Sequence, residues 1–193
     1  LSSSSAASDV YKRQACASAM LLFGFALIYA ATGDLSYGGM DAKAAAAFSQ
    51  EPLVLMAGSA MVLAGLGFKL SVVPFHMWTP DVYQGAPTPV TGFLATVSKG
   101  AVFVALTRFY LDGQLYQYDS LIMALSVVAM ASMLVGNWLA LRQDNIKRLL
   151  AYSSIAHFGY LLIVLIALAA AQSTMSSELI GQAITFYLAA YIV

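Results

Sequence analysis

Long apolar runs separated by short polar stretches dominate the chain. They cover about residues 15–31, 53–78, 90–111, 121–141 and 149–170, and a sixth run begins near Leu179. Each of the first five is close to the roughly 20 residues that a helix needs to cross a bilayer core of about 30 Å. Strand-like alternation of apolar and polar residues is absent from the sequence, so the pattern predicts an all-α polytopic bundle of transmembrane helices.

The two ends of the chain differ from this pattern. Residues 1–14, LSSSSAASDVYKRQ, are polar and low in complexity, and we interpret them as a non-native leader. The alternative is a signal peptide with Lys12 and Arg13 before its apolar core, but the later apolar runs favour a retained span. At the other end, Leu179–Val193 is 15 residues, or about 22 Å of helix. We therefore predict that residues 15–193 are a fragment with about five complete spans and one truncated span.

Composition supports a membrane protein and excludes several other classes. Hydrophobic residues make up 61% of the chain, charged residues make up 9%, and the mean hydropathy is +0.79. A soluble domain is about half apolar and a quarter charged. Nine basic and nine acidic residues give no net charge that would attract nucleic acid. A single cysteine, Cys16, excludes an internal disulfide and a cysteine-based zinc cluster, and no metal site is predicted.

The loops suggest an orientation in the membrane. The loop after the fourth apolar run carries Arg142, Lys147 and Arg148 against one acidic residue, Asp144. Basic residues concentrate in cytoplasmic loops, which places this loop in the cytoplasm.

Two lysines lie inside apolar runs and are the main candidates for chemistry. Lys99 is near the middle of the third run, and Lys69 lies within the second. An ionisable residue within the membrane costs roughly 2.5–3.5 kcal/mol and marks a functional site by default. All nine acidic residues lie in loops, at helix ends or in the leader, so neither lysine is expected to have an intramembrane carboxylate in this chain. Proton transfer fits this arrangement better than a structural ion pair, although a static role in holding helices together remains the alternative.

A proline-rich stretch, KLSVVPFHMWTPDVYQGAPTP, begins at Lys69 and predicts a broken helix. Pro74 and Pro80 interrupt the helical hydrogen bonds, and His76 lies between them. Broken helices at membrane depth line cavities and ion sites. An ordinary proline kink is the alternative. The lysine, the break and the histidine together favour a function in proton translocation.

A second histidine, His157, lies inside the fifth apolar run beside Ser153 and Ser154. Histidine changes charge near neutral pH, and the serine hydroxyls could hold this ring or relay protons through water. A hydrogen-bonded core histidine is the structural alternative. Gly65 and Gly67, earlier in the chain, are expected to allow close helix packing.

These residues also carry a family resemblance. The stretch GLGFKLSVVPFHMWTPDVYQGAPTPVTGFLATVSKGAVF, the stretch GNWLALRQDNIKRLLAYSSIAHFGYLLIVLIAL and the terminal TFYLAAYIV resemble the antiporter-like membrane subunits of bacterial NADH:quinone oxidoreductase, respiratory complex I. The run WTPDVYQGAP points to subunit N within that group. The resemblance covers about residues 15–193.

The resemblance implies an antiporter-like fold of two inverted helical repeats, each with a broken helix. It implies that Lys69 pairs with a glutamate two helices earlier, and that Lys99 belongs to a central polar axis. His76 and His157 would support the proton path. The carboxylate partner of Lys69 and the second repeat's lysine are missing from this sequence.

The resemblance also implies a function and its partners. The chain would help couple electron transfer from NADH to quinone, such as ubiquinone, to proton pumping across the bacterial inner membrane. Other membrane subunits and the lipid bilayer would be its partners. This chain would bind no cofactor: NADH, FMN, iron–sulfur clusters and quinone would lie in partner subunits, and the chain alone would have no catalytic activity.

Two other functions remain open from the sequence. One is a subunit of a multisubunit Na⁺/H⁺ antiporter or of a membrane-bound hydrogenase, which share the fold and the lysines. The other is a non-transporting membrane scaffold, in which the lysines only orient helices.

Overall fold

The computed structural model describes residues 3–36, 52–171 and 177–192, and these form helices without any strand. The α-helices, in chain order, are α1 (Ser3–Thr32), α2 (Pro52–Leu70), α3 (Thr79–Gly85), α4 (Thr88–Phe93), α5 (Lys99–Asp112), α6 (Asp119–Ala140), α7 (Ile146–Ala171) and α8 (Ser177–Ile192). Short 3₁₀-helices lie at Phe75–Trp78 and Leu115–Gln117, and a π-helical turn covers Leu94–Ser98.

The predicted membrane spans are confirmed. Five stretches of the described residues are long and apolar enough to cross a membrane: Gln14–Thr32, Pro52–Gly85, Thr88–Asp112, Asp119–Ala140 and Ile146–Ala167. The sixth predicted run corresponds to α8, which has 16 residues. Helix α1 begins at Ser3, so residues of the proposed leader belong to that helix. The non-native origin of the leader stays a prediction.

The chain divides into two compact units. Unit 1 comprises Leu1–Lys69 and Arg108–Gln114, and unit 2 comprises Leu70–Thr107 and Leu115–Val193.

In unit 1, α1 and α2 approach each other closely at glycines. A Cβ atom on Gly24 would lie 2.8 Å from the carbonyl oxygen of Gly58, and one on Gly65 would lie 3.1 Å from the carbonyl oxygen of Ala17. Small residues let membrane helices pack backbone against backbone, and the expected role of Gly65 is confirmed.

In unit 2, α6 and α7 pack against each other in the same way. A Cβ atom on Gly136 would lie 2.9 Å from the backbone nitrogen of Ala156, and one on Gly159 would lie 2.9 Å from the carbonyl oxygen of Ala129. Large apolar side chains, among them Leu165, are fully buried beside these contacts. The pair α6–α7 is therefore a tightly packed frame for the polar residues of α7.

The predicted helix break is present, but it starts earlier than the prolines. Helix α2 ends at Leu70, and Ser71 adopts the left-handed backbone region with a φ of 64°. This region is rare for residues other than glycine and ends the α-helical hydrogen-bonding pattern. Pro74 follows within the connection, and Pro80 occupies a position in the first turn of α3, where a proline fits a helix.

Candidate functional site

Lys99 is buried inside unit 2, as the sequence predicts. It begins α5, directly after the π-helical turn Leu94–Ser98, and its relative exposure is 2%. A π-helical turn contains one more residue than an α-helical turn and often occurs at a functional site. Here it immediately precedes a buried lysine.

The ammonium group of Lys99 contacts one hydroxyl and two aromatic rings. Nζ donates a hydrogen bond to Oγ of Ser154 at 3.0 Å. It also lies 5.4 Å from the ring centroids of Tyr83 and Phe158, within the range of a cation–π contact. Within residues 52–171 and the other described parts, no carboxylate lies within ion-pair distance of this lysine. The described residues thus hold Lys99 without a fixed counter-charge.

Ser154 connects Lys99 to helix α8. Its Oγ accepts one hydrogen bond from Lys99 and a second from the hydroxyl of Tyr191 at 2.8 Å. Ser154 is 2% exposed. The ring of Tyr191 packs edge-on against Phe158, with 5.7 Å between centroids. A buried lysine, a buried serine and a half-buried tyrosine therefore form one hydrogen-bonded chain across α5, α7 and α8.

His157 forms a second link between α7 and α8. Its Nδ1 lies 2.9 Å from the hydroxyl of Tyr187, and its ring centroid lies 5.4 Å from that of Tyr191. Tyr187 and Tyr191 are one helical turn apart and share a face of α8. The expectation that a neighbouring serine holds His157 is wrong: a tyrosine of α8 holds it, while Ser154 bonds Lys99 and Tyr191.

A cavity of about 430 Å³ reaches this network. It extends between α3, α4, α7 and α8, and both Ser154 and Tyr191 line it, whereas Lys99 does not. Its other polar lining side chains are those of Tyr83, Thr88, Thr91, Thr96, Lys147, Ser153 and His157. Hydroxyl groups on several sides give buried water the two to four polar partners that it needs.

One end of the cavity lies at the start of α7. Lys147 lines the cavity and donates from Nζ to the carbonyl oxygen of Ala86 at 2.8 Å. The adjacent Arg148 donates from Nη1 to Asp81 at 2.6 Å and to Gln84 at 3.1 Å. These contacts join the first turn of α7 to α3 and to the residue that directly follows α3.

Three hydroxyl groups fix the connection between α2 and α3. Ser71 and Thr79 share a hydrogen bond of 2.5 Å, and both side chains are fully buried. The backbone N–H of Val73 donates to Oγ of Ser132 on α6 at 2.9 Å. Backbone groups at membrane depth need such internal partners, so this irregular segment is stabilised by side chains.

Lys69 differs from its prediction. It lies in the last turn of α2, and its side chain is exposed. The expectation that it is buried far from a helix end is wrong, because the helix stops at Leu70. His76 follows the break on the 3₁₀-helix Phe75–Trp78, is 8% exposed, and does not line the cavity. The structure therefore brings Lys99 and His157 into one network, and that network includes neither Lys69 nor His76.

The sequence pattern did not indicate a role for Tyr191, Tyr187, Tyr83 or Ser132. The available signal was the spacing of Tyr187 and Tyr191, which places two hydroxyl groups on one face of an apolar helix.

Comparisons with known proteins agree with this architecture. A family model described as NADH:quinone oxidoreductase/Mrp antiporter, TM, matches residues 1–193. A chain of respiratory complex I from Thermus thermophilus, solved with bound aureothin, is 39% identical with a TM-score of 0.74. The match covers 97% of this chain and 38% of that one.

Two further solved complexes contain similar chains. One is the membrane-bound sulfane sulfur reductase, an archaeal respiratory membrane complex, with 32% identity, a TM-score of 0.71, and coverage of 84% of this chain and 33% of that one. The other is the Mrp complex from Dietzia sp. DQ12-45-1b, with 28% identity, a TM-score of 0.72, and coverage of 83% and 29%. The present chain thus spans 29 to 38% of the length of these three chains.

Proposed function

Because this multi-pass membrane chain belongs to the family described as NADH:quinone oxidoreductase/Mrp antiporter, TM, we propose that it forms part of a proton-translocating subunit. The observation that carries the proposal is the environment of Lys99. This lysine is 2% exposed, bonds a serine hydroxyl, and lies behind a mainly apolar cavity that several hydroxyl groups line.

A hydroxyl partner suits a lysine that gains and loses a proton. Ser154 Oγ accepts a hydrogen bond from an ammonium, and its O–H group can donate one to a neutral amine. A carboxylate at this position would favour the charged form alone. Lys99 has a partner for both forms, and the cavity supplies a route between this partner and the start of α7.

The finer proposal is a subunit of NADH:quinone oxidoreductase, specifically subunit N. The run WTPDVYQGAP and the 39% identity to a complex I chain support it. Electron transfer from NADH to quinone would then occur in partner subunits, which would hold FMN, the iron–sulfur clusters and quinone. The basic loop that contains Lys147 supports an orientation with the cavity opening towards the cytoplasm of a bacterial inner membrane.

Na⁺/H⁺ antiport is the second candidate. It is supported by the 28% identity to a chain of the Dietzia Mrp complex. The two candidates share the lysine and its cavity and differ in what drives proton movement.

The test replaces Lys99 by alanine in the complete polypeptide that carries this sequence, assembled in its membrane complex. A positioned proton-transfer group contributes about 10²-fold or more to a rate, so Lys99→Ala is expected to slow NADH oxidation and to reduce proton uptake per NADH in inverted vesicles. Lys69→Ala tests the exposed lysine in the same assay. Arg142→Ala is the control, because it removes an exposed cation outside the site.

Three outcomes separate the possibilities. Reduced uptake per NADH in assembled Lys99→Ala complex supports translocation through this lysine. An unchanged ratio assigns Lys99 a structural role and contradicts the proposal. Wild-type vesicles that exchange protons for sodium without oxidising NADH identify the antiporter instead.

A further inference from the structure

Among the described residues, the hydroxyl of Ser154 is the group that both lines the cavity and bonds Lys99. Lys99 does not line the cavity, while Ser154 does, and Nζ donates its hydrogen bond to Ser154 Oγ at 3.0 Å. The rings of Tyr83 and Phe158 lie 5.4 Å from Nζ. A proton that moves between the cavity and Lys99 by the hydrogen bond in this structure must therefore pass through Ser154.

We infer that the Ser154 hydroxyl is the proton-transfer group between the cavity and Lys99, and that Tyr191 is the residue that supplies and orients its hydrogen bonds. This inference rests on the proposed translocation function and names a specific route within it. It adds two residues to the path, one on α7 and one on α8.

The transfer balances without any additional reactant besides a hydronium ion in the cavity. As neutral Lys99 takes up a proton, the Ser154 O–H bond breaks and a new Nζ–H bond forms. The Tyr191 O–H bond breaks as Ser154 Oγ regains a proton. Tyr191 lines the cavity and takes a proton from hydronium, which leaves water. The net change is one proton moved from the cavity to Lys99, with both hydroxyl groups restored.

The geometry of Tyr191 suits this role. Its hydroxyl donates to Ser154 Oγ at 2.8 Å, and its ring contacts those of Phe158 and His157, with centroid separations of 5.7 and 5.4 Å. Contact with two other rings limits the movement of the Tyr191 hydroxyl away from Ser154. His157 bonds Tyr187 at 2.9 Å, so the histidine lies on a neighbouring link rather than between the cavity and Lys99.

The experiment compares Ser154→Ala with Ser126→Ala in the assembled complex of the complete polypeptide. Ser126 is the control because, among the described residues, its hydroxyl bonds the carbonyl of Ile122 in its own helix and no other group. NADH-driven proton uptake and the solvent deuterium isotope effect on NADH oxidation are both measured, each normalised to assembled complex. For Ser154→Ala, we expect lower uptake per NADH and a larger isotope effect, because a broken relay makes proton transfer more rate-limiting. Ser126→Ala is expected to match the wild type.

A second pair of variants separates the effect of the hydroxyl group from the effect of side-chain size. Threonine and valine have similar shapes and differ by a hydroxyl, so Ser154→Thr is expected to retain more proton uptake than Ser154→Val. Equal uptake by the two variants overturns the inference, as does wild-type uptake by Ser154→Ala. If residue 154 tolerates no substitution during assembly, Tyr191→Phe gives the result: a larger isotope effect supports the relay, and a wild-type isotope effect contradicts it.

Different results contradict the relay through Ser154 and the proposed function. Loss of coupled uptake in Lys99→Ala together with normal uptake in Ser154→Ala leaves the function intact and rejects the route. Normal uptake in both variants rejects both.

Discussion

Removing the Ser132 hydroxyl is expected to weaken the connection between α2 and α3. Oγ of Ser132 accepts the N–H of Val73 at 2.9 Å and donates to the carbonyl of Val128 at 2.7 Å, and the residue is fully buried. Ser132→Ala leaves the Val73 N–H without this acceptor. A buried donor left unsatisfied costs about 1–3 kcal/mol.

A matched substitution isolates this contribution. Ser126 lies on the same helix, and within the described part of the chain its hydroxyl bonds the carbonyl four residues earlier and nothing else. Ser126→Ala therefore changes helix propensity by about the same amount as Ser132→Ala, a few tenths of a kcal/mol, without orphaning a donor in another segment. The difference in unfolding free energy between the two variants is expected to be about 1–3 kcal/mol. At 1.4 kcal/mol per tenfold, this is about 5- to 140-fold in the unfolding equilibrium.

The assay is equilibrium unfolding of the complete polypeptide in mixed micelles, titrated with a denaturing detergent and followed by far-ultraviolet circular dichroism. We expect Ser132→Ala to unfold at a lower detergent fraction than Ser126→Ala. Equal midpoints for the two variants, or a more stable Ser132→Ala, would refute the argument that this hydroxyl stabilises the irregular segment.

Three other perturbations test the packing and the polar contacts. Gly159→Ala places a methyl 2.9 Å from a backbone oxygen of α6 and is expected to lower the unfolding free energy by about 1–3 kcal/mol. Gly181→Ala, where a Cβ atom would have nothing within 4 Å, is expected to leave the unfolding free energy unchanged by such clashes. The same detergent titration measures both variants. Asp81→Asn breaks an ion pair whose carboxylate side chain is 68% exposed. We expect it to lower the unfolding free energy by less than about 1 kcal/mol, and by less at high salt, because salt screens exposed charges. A loss that does not change with salt concentration would contradict this screening. His157 and Tyr187 share one hydrogen bond. A double-mutant cycle on stability with His157→Gln and Tyr187→Phe is therefore expected to give a coupling energy of at least about 0.5 kcal/mol. Additive effects of the two substitutions would exclude the contact.

The spans could be predicted from sequence because they depend on a local property. A run of apolar residues long enough to cross the lipid core must form its own backbone hydrogen bonds. The burial of Lys99 was predictable for a related reason, since it lies in the middle of a span where an uncovered ammonium is costly. Its particular partner, Ser154, is 55 positions away in sequence and depends on how α5 packs against α7.

The errors concern the ends of helices and the pairing of side chains. The prolines suggested a break at Pro74, but the helix ends at Leu70 because Ser71 has a φ of 64°. No simple pattern predicts that conformation for a serine. This earlier end puts Lys69 in a final helical turn with an exposed side chain. Likewise, Ser154 lies three residues before His157 in sequence but bonds partners on α5 and α8, which only the tertiary packing determines.

The contacts of Lys99 bear on how, in the proposed function, a buried lysine can be held in place and still gain and lose a proton. Each cation–π contact contributes about 0.5–2 kcal/mol to an ammonium, and a hydrogen bond to a hydroxyl contributes a similar amount. A change of 1.36 kcal/mol in the surroundings alters a protonation equilibrium tenfold. Each described contact of Lys99 therefore changes the ratio of its charged to its neutral form by about 2- to 30-fold. A buried carboxylate would stabilise the charged form more strongly. In the function that we propose, two rings and one hydroxyl would keep the lysine in place and leave its proton exchangeable.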